Sequence, residues 1–430
     1  MEDILKQFIK EHREDDTRQL ALQAGRYPDV EMPTALTQIA GWQSIRNKVP
    51  SWAACDEIIY PPHLPLEQCS SEATAIYKYG VVANNGDHAS LADLTGGFGI
   101  DCWFMSHAFL HTTYIERQEE LVNIAQHNFH ALNSKTSSSY QETQLGLNLS
   151  GKNYLLSNVR QREKAGLSYD FILKDSAVWL NENQKHFSWL FIDPARRDGH
   201  GGKTVAISDC EPDVSKLEEL LVNKASHVMI KLSPMLDLDL ALSQLKHVEE
   251  AHIVAVDNEC KELLLILSKD HLTRIEQTPI HCVNIKKEVV QNFTFNKAEE
   301  QQTAYVFADG MGNYLYEPNA PILKAGAYRC LTKHCGVKKL HANSHLYTSD
   351  KIIPDFPGRI FKVEESCGFG KKELKVLLAG ATKANITIRN FPASVAELRK
   401  RLHLQEGGDT YLFATTLHPQ EKVIIKCRKI

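Results

Sequence analysis

The sequence predicts an α/β fold built on a doubly wound, Rossmann-like parallel sheet. Between residues 88 and 268, short apolar runs that end in polar or glycine residues alternate with helical patterns, which is typical of successive strand–helix units. The predicted strands are SLADLTG, TTYIE, YDFILKD, WLFIDPA, HVMIKLSP, HIVAVDN and ELLLILS. The last two strands are too close in sequence for a crossover helix, so we expect them to form an antiparallel pair at the sheet edge.

Different patterns precede and follow this region, and together they predict four domains. A polar, Ser-rich stretch between Asn128 and Tyr169 interrupts the α/β region and predicts a long loop. The expected domains are an N-terminal helical region at residues 1–80, the α/β domain at 81–270, a small α+β domain at 271–342, for which a ferredoxin-like fold is one candidate, and a basic α+β domain at 343–430.

The composition is typical of a globular protein and excludes several other classes. Hydrophobic residues make up 43% and charged residues 24% of the 430 positions, and no apolar run has the length of a bilayer span. The start, MEDILKQFIKEHREDD, lacks the basic and apolar segments of a secretory signal, so we expect a cytoplasmic protein. The ten cysteines show no CxxC spacing, so we expect neither a disulfide framework nor a metal site.

Charge is divided unevenly along the chain. From Lys324 to the C-terminus there are 20 Lys and Arg against 9 Asp and Glu, a net charge of +11, which leaves −15 for residues 1–323. A basic C-terminal part favours binding to a polyanion, because Lys and Arg replace the counterions of phosphate groups. A solvated face of a stable domain is the alternative explanation, since the basic residues form only short clusters such as RKR at 399–401.

A glycine-rich turn follows the first predicted strand. In LADLTGGFGIDC, the strand ends at Asp93, and Gly96, Gly97 and Gly99 allow bare backbone to approach a ligand. Glu116 ends the next strand, where a carboxylate can accept hydrogen bonds from both hydroxyls of an adenosine ribose. A ligand-free tight turn and a solvated strand-end carboxylate are the alternatives, and both NAD and S-adenosylmethionine enzymes use this arrangement.

The end of the fourth predicted strand distinguishes between these two cofactor classes. WLFIDPARRD places Asp193 and Pro194 at the carboxyl end of a buried strand, beside the switch point where open sheets bind ligands. There, an acidic side chain can accept hydrogens from an exocyclic amine. This suits methyl transfer, because the sulfonium is already activated and the protein chiefly aligns the reacting atoms. A plain turn at DPA remains the alternative, and the histidines form no set that indicates hydride transfer.

The motifs together resemble a known family. DLTGGFGID, YIERQEELVNIAQHN, FILKDS and FIDPARRD, in this order, resemble the cofactor and catalytic motifs of class I S-adenosylmethionine-dependent methyltransferases. LPLEQCSSEATAIYK, IKLSPMLD, YEPNAPILKAG and NITIRNFPASVAELRKRLHLQEGGDTYLFAT resemble bacterial methyltransferases that carry a C-terminal THUMP-like domain. The resemblance spans most of the chain and implies a seven-stranded methyltransferase sheet with S-adenosylmethionine as the cofactor.

The resemblance also implies roles for individual residues. Gln68, Ser71 and Thr74 close over the cofactor, although Ser71 is equally suited to capping a helix. The implied cofactor-binding residues are Asp93, Thr95, Gly96, Gly97 and Gly99 at the methionine part, Glu116 at the ribose and Asp175 at the adenine. The implied catalytic residues are Asp193 and Pro194.

The sequence departs from the family pattern directly after the catalytic pair. Ala195 and Arg196 replace the second proline and the aromatic residue that usually stacks on a target base. Arg196 and Arg197 are candidates for gripping a phosphate of the substrate, and a structural salt bridge is the alternative. Arg399, Lys400 and Arg401 form a second candidate substrate-binding cluster.

Three functions remain open at this point. The first is methylation of a base nitrogen in tRNA or rRNA, with the basic C-terminal domain docking the RNA. The second is methylation of a small molecule or a protein, which the missing aromatic favours. The third is a noncatalytic RNA-binding protein that retains the methyltransferase fold. The oligomeric state is left open.

Overall fold

The computed structural model describes most of the chain as two units. The described residues are 3–136, 167–196, 206–272, 274–287 and 289–430. The first unit comprises residues 1–251, 261–273 and 287–290, and the second comprises 252–260, 274–286 and 291–430. Most of the Ser-rich stretch predicted as a long loop, and Arg197, lie outside the described residues.

The first unit begins with the predicted helices. They are α1 (Asp3–His12), α2 (Thr17–Leu22), α3 (Met32–Ile45), α4 (Pro50–Ala53), α5 (His63–Gln68) and α6 (Glu72–Asn84). Side chains of Asp16, Glu31 and Ser71 accept hydrogen bonds from backbone N–H groups at the starts of α2, α3 and α6, which would otherwise lack a partner. The prediction of an N-terminal helical region is therefore confirmed.

A mixed sheet follows, and five of its neighbouring strands are parallel. Its strands are β1 (Ser90–Asp93), β2 (His111–Glu116), β3 (Ser168–Leu173), β4 (Phe187–Ile192), β7 (Ala225–Leu232), β8 (Val248–Val256) and β9 (Glu259–Ser268), and the short pair β5 (Ala195–Arg196) and β6 (Cys210–Glu211) forms a separate ribbon. The sheet has nine strands in the order β11-β10-β8-β9-β7-β4-β1-β2-β3, in which β10 (Ile280–Lys286) and β11 (Val289–Phe295) continue the sheet beyond β8. Strands β7, β4, β1, β2 and β3 are parallel, and β9 is antiparallel to β7.

Helices connect the parallel strands, as a doubly wound sheet requires. They are α7 (Ile100–Ser106), α8 (Glu119–Thr136), α9 (Ser176–Glu182), α10 (Val214–Lys224) and α11 (Leu238–Ser243). Strands β8 and β9 are joined instead by Asp257 and Asn258, both with positive φ, which is the backbone of a tight hairpin. The predicted α/β class is confirmed. Strands β8 and β9 are neighbours, as predicted, but the prediction that they lie at the sheet edge is wrong, because β10 and β11 continue the sheet beyond β8.

Register brings the ends of three strands to one edge of this sheet. Asp93 at the end of β1 is opposite Tyr114 of β2 and Phe191 of β4, so Glu116 and Asp193 follow within two residues of these positions. Because parallel strands point the same way, their terminal side chains face a shared crevice. A core that includes Trp103, Tyr114 and Phe129 packs behind this edge and holds the strand ends in place.

The second unit contains a second sheet with two helices on one face. Its elements are β10 (Ile280–Lys286), β11 (Val289–Phe295), α12 (Lys297–Gln302), β12 (Tyr314–Pro318), α13 (Ala320–Ala325), α14 (Cys330–Cys335), β13 (Lys338–Lys339), β14 (Tyr347–Ser349), β15 (Gly358–Gly368), α15 (Lys371–Leu377), β16 (Asn385–Arg389), α16 (Val395–Leu402), β17 (Thr410–Leu417) and β18 (Glu421–Lys429). The sheet order is β13-β14-β12-β15-β18-β17-β16. Alternate residues of β17 serve the two faces: Leu412 packs with Leu374 and Leu398 of the helices, whereas Phe413 faces the other core.

Among the described residues, no helix combines the length and the apolar character that crossing a bilayer requires.

Candidate active site

A cavity of about 650 Å³ lies at the shared strand edge of the first unit. Its volume is in the range of pockets that hold cofactors. The residues of the predicted cofactor site that line it are Asp93, Thr95, Gly96, Gly97, Gly99, Glu116 and Asp175, together with Asp193 of the predicted catalytic pair. The structure therefore brings these residues together, although they come from three strand ends and a helix start.

The glycine turn presents backbone to this cavity. Gly97 and Gly99 have φ values of +54° and +91°, which favour glycine. A Cβ on Gly96 would lie 2.1 Å from the ring of Tyr114, and the hydroxyl of Tyr114 donates a hydrogen bond to the carbonyl of Gly97 at 2.6 Å. The turn is thus held against β2 at a distance that no residue larger than glycine permits at Gly96, and its three glycines present bare backbone to the cavity.

Glu116 joins the turn to the end of β2. Its Oε2 accepts a hydrogen bond from the backbone N–H of Gly97 at 3.0 Å. Its Oε1 accepts hydrogen bonds from the backbone N–H groups of Arg117 at 2.9 Å and Gln118 at 3.0 Å. Only 9% of the residue is exposed. A carboxylate has about four lone-pair positions, so one remains for a ligand in the cavity.

Asp93 is almost completely buried beside the turn. It is 1% exposed and accepts a hydrogen bond from the backbone N–H of Thr95 at 3.0 Å. Burial raises the pKa of Asp93 well above its usual value, and the nearby carboxylates of Asp101, Asp193 and Glu116 raise it further. A cationic ligand next to Asp93 would therefore relieve an unfavourable charge.

Asp93→Asn is expected to raise the thermal unfolding midpoint at pH 8 and to change it less at pH 5. The folded protein keeps the Asp93 proton to higher pH than the unfolded chain does, so this residue lowers stability as the pH rises from the usual carboxyl pKa through the raised one. Asn keeps an acceptor for Thr95 but has no charge. Thermal unfolding of both proteins across this pH range measures the difference.

Asp87→Asn is the matched control, because a hydrogen bond from Ser188 lowers the pKa of this exposed carboxyl and the sign of its effect is opposite. Equal pH dependence of wild type and Asp93→Asn would contradict the expectation for Asp93.

Asp193 directly follows β4 and is fixed at two points. Its backbone N–H donates a hydrogen bond to Oγ1 of Thr95 at 2.7 Å, and its Oδ2 accepts one from Nζ of Lys231 at 2.6 Å. Pro194 is buried behind it and does not line the cavity. Ala195 and Arg196 continue into β5, where they pair with Glu211 and Cys210 of β6.

A buried ionic network lies behind Asp193, and the sequence analysis did not predict it. Nζ of Lys231 is also 3.3 Å from Oδ2 of Asp101. Nζ of Lys78 lies 3.2 Å from Oδ1 of Asp101 and 2.6 Å from Oε2 of Glu262. The side chain of Lys78 has no exposed surface, and that of Lys231 is 11% exposed. Lys231 lies in the motif IKLSPMLD, which forms part of the family resemblance but was given no role in the sequence analysis.

The other predicted residues near the cavity have capping or lining positions. Asp175 accepts hydrogen bonds from the backbone N–H groups of Ala177 and Val178 and starts α9. Gln68 lines the cavity, whereas Ser71 caps α6 by accepting from the N–H of Thr74. The structure therefore assigns Ser71 the capping alternative.

The predicted basic cluster lies on α16 in the second unit. Nη1 of Arg399 donates to the carbonyl of Ala384 at 3.3 Å, and the guanidinium of Arg401 lies 3.9 Å from the ring centroid of Phe369. Lys400 is exposed. Of these three side chains, Arg399 and Arg401 are thus partly committed to packing within the unit.

One solved structure matches nearly the whole chain. It is the crystal structure of a protein from Porphyromonas gingivalis W83 assigned as a methyltransferase; it is 33% identical, with a TM-score of 0.83, and the match covers 99% of this chain and 97% of that one. The chain belongs to this methyltransferase family. The family is that of class I S-adenosylmethionine-dependent methyltransferases with a C-terminal THUMP-like domain, as the motifs indicate.

Family models identify the C-terminal parts of this methyltransferase-family chain. A ferredoxin-like domain matches residues 314–357, and a domain similar to THUMP matches residues 358–429. These findings confirm the THUMP-like assignment. The four predicted domain boundaries themselves stay predictions.

Other comparisons reach only part of the chain. The structure of M. capricolum TrmK with S-adenosylhomocysteine is 12% identical, with a TM-score of 0.29, and covers 46% of this chain and 70% of that one. An rRNA methylase from Streptococcus thermophilus is 12% identical, with a TM-score of 0.27, and covers 45% of this chain and 94% of that one. A comparison with curated proteins finds no match.

Proposed function

We propose that this chain transfers a methyl group from S-adenosylmethionine to a nitrogen of a tRNA or rRNA base. The observation that carries the proposal is the position of Asp193, whose carboxylate lies at the cavity that the glycine turn and Glu116 also line. A methyl donor in the turn and an amine at Asp193 would then share one cavity. Family membership supports the methyltransferase part of the proposal, and the RNA part rests on the C-terminal domain.

The cavity residues fit the proposed cofactor. S-adenosylmethionine supplies a methyl group already activated by a positively charged sulfur. The carboxylates of Asp93 and Glu116 suit its charged and hydroxyl groups. Among the described residues, Asp93 has no basic partner and Glu116 keeps one lone pair for the ribose. Asp175 also lines the cavity and would face the adenine, and the bare backbone of Gly96, Gly97 and Gly99 would accommodate the methionine part.

Asp193 is suited to orient the target amine. Lys231 donates a hydrogen bond to its Oδ2, and no described residue donates to Oδ1, which can therefore accept a hydrogen bond from an exocyclic N–H. Such a bond directs the nitrogen lone pair and favours the positive charge that develops on the nitrogen during attack. Pro194 restrains the backbone that carries the carboxylate.

The basic C-terminal domain is the proposed RNA-docking part. Helices α15 and α16 pack on the same core, so their exposed side chains lie on one side of the sheet. Lys371 and Lys372 of α15 and Lys400 of α16 are exposed there. Dispersed basic side chains on one side favour contacts to a phosphate backbone over readout of a sequence.

The proposal is tested by methyl incorporation into RNA. Bulk tRNA and bulk rRNA, each purified from a strain that lacks the gene, are incubated with the protein and S-adenosylmethionine carrying a labelled methyl group. Digestion to nucleosides and mass spectrometry then identify the methylated base. Label in a base nitrogen supports the proposal, and its absence from both RNA pools contradicts the RNA part.

Methylation of a small molecule or protein is the second candidate, because Arg196 stands where a base-stacking aromatic is usual. In the same assay, transfer of label to proteins or small amines of a cell extract, with none to RNA, would favour it.

The variant Lys371→Glu/Lys372→Glu/Lys400→Glu is expected to bind bulk tRNA at least tenfold more weakly at physiological salt, because it loses contacts to phosphate groups. Each lost contact should also reduce the slope of log affinity against log salt concentration by about 0.7 to 0.9. Binding measured by fluorescence anisotropy at several salt concentrations gives both quantities. The control carries the same charge change on exposed lysines of the first unit, Lys185→Glu/Lys216→Glu/Lys269→Glu. Equal weakening in both variants would show a dependence on net charge alone.

A further inference from the structure

Among the residues that the structure describes, Lys231 is the cation closest to the proposed catalytic carboxylate. It lies next to the end of β7, one residue beyond Ile230, which pairs with Ile192 at the end of β4. The register therefore places Lys231 beside the Asp193 segment. Its Nζ is 2.6 Å from Oδ2 of Asp193, and the lysine lines the cavity with only 11% of its side chain exposed.

We propose that Lys231 is a positioning residue for the methyl-transfer reaction, which holds the Asp193 carboxylate in the orientation that receives the target amine. This inference rests on the proposed function of Asp193. The backbone of Asp193 is fixed by Thr95 and its side chain by Lys231, so both ends of the residue have a defined partner. Lys231 donates to Oδ2, and within the described part of the chain Oδ1 stays open to the target amine.

The network behind Lys231 fixes the lysine in turn. Oδ2 of Asp101 lies 3.3 Å from its Nζ, and the same oxygen accepts a hydrogen bond from the hydroxyl of Ser70 at 2.7 Å. Asp101 is also paired with Lys78, which is fully buried. Because these groups are removed from water and hydrogen-bonded to one another, the ammonium of Lys231 has little freedom to leave Asp193.

The same surroundings argue against a role for Lys231 as a general base. Burial alone would lower its pKa, but the charges of Asp193, Asp101 and Glu262 outweigh burial and raise the pKa well above the usual value. Lys231 consequently stays an ammonium and donates hydrogen bonds only. The proton that a methylated nitrogen releases must pass to Asp193 or to water.

Lys231→Met, Asp193→Ala and the double variant test the proposal. We expect Lys231→Met to lower kcat for RNA methylation about 100-fold through misplacement of the carboxylate, with the KM for S-adenosylmethionine changed less than about threefold. Lys231→Arg retains a cationic donor and is expected to recover at least a tenth of the wild-type kcat. The double variant is expected to match Asp193→Ala within about threefold, because residues that act through one another are not additive.

Independent, multiplicative losses in the double variant would overturn the proposal, since they would show that Lys231 acts without Asp193. Glu218→Gln is the control for general destabilisation. Glu218 is a buried carboxylate that accepts hydrogen bonds from the backbone N–H groups of Lys246 and His247, and it does not line the cavity. A loss of kcat in this variant equal to that in Lys231→Met would also overturn it. If Lys231→Met does not fold, Lys231→Gln carries the same test.

A structural measurement separates this inference from the proposed function. Should the wild type methylate no RNA, the proposed function fails, and crystal structures of wild type and Lys231→Met still show whether Lys231 orients Asp193. Rotation or multiple conformers of the Asp193 carboxylate in the variant would support the inference. An unchanged, well-ordered carboxylate would overturn it.

Discussion

Asp193→Ala is expected to lower kcat for methyl transfer about 10²- to 10³-fold, while the dissociation constant of S-adenosylmethionine changes less than about threefold. Asp193 is proposed to contact the target amine. Its carboxylate would orient the nitrogen and stabilise the positive charge that develops there in the transition state. The loss corresponds to about 2.7 to 4 kcal/mol of transition-state stabilisation.

Two neighbouring variants sharpen this expectation. Asp193→Asn retains an acceptor oxygen but no charge, so its kcat should fall between those of Asp193→Ala and wild type. Glu211→Gln alters another carboxylate at the same cavity, to which no role is assigned, and should leave kcat unchanged. The kinetics are measured with labelled S-adenosylmethionine and the RNA pool that accepts the label. A kcat of Asp193→Ala near the wild-type value would exclude this residue from the reaction.

The sequence predicted the fold because its signals are local. Short apolar runs that end at Asp93, Glu116 and Asp193 mark buried parallel strands, and the order of the runs follows the chain. Parallel strands bring their carboxyl ends to one edge, so three motifs far apart in sequence could be assigned to one cavity before their distances were known.

The ionic network could not be predicted in the same way. Lys78 lies on α6 and Glu262 on β9, 184 residues apart, and a lysine within a helical apolar pattern gives no sign of being fully buried. Lys231 meets Asp193 because β7, which carries the lysine, lies next to β4 in the sheet, between β4 and β9. Charged partners that meet only through sheet order leave no spacing pattern in the sequence, whereas the Ser71 cap was a local signal that the sequence did offer.

Glu116→Ala is expected to weaken S-adenosylmethionine binding at least about 100-fold, because the charge-assisted hydrogen bond to the ribose and those that hold the turn together contribute about 3 kcal/mol. Part of the loss comes from the ligand and part from the turn, since the carboxylate also accepts from Gly97, Arg117 and Gln118. Isothermal titration with S-adenosylmethionine, and with NADH as the competing cofactor class, measures the loss. Binding of NADH by the wild type, or an unchanged affinity of Glu116→Ala for S-adenosylmethionine, would contradict the assigned cofactor site.

The two contributions are separable with a ligand that lacks one hydroxyl. Methylthioadenosine and its 2′-deoxy analogue differ only at the ribose, so the ratio of their affinities in the wild type reports the ribose contact alone. If Glu116 accepts from that hydroxyl, this ratio should fall towards one in Glu116→Ala, whatever the variant does to the turn. A ratio that survives the substitution would mean that Glu116 acts only by holding Gly97 against β2, and the ribose would need another acceptor at the same strand edge.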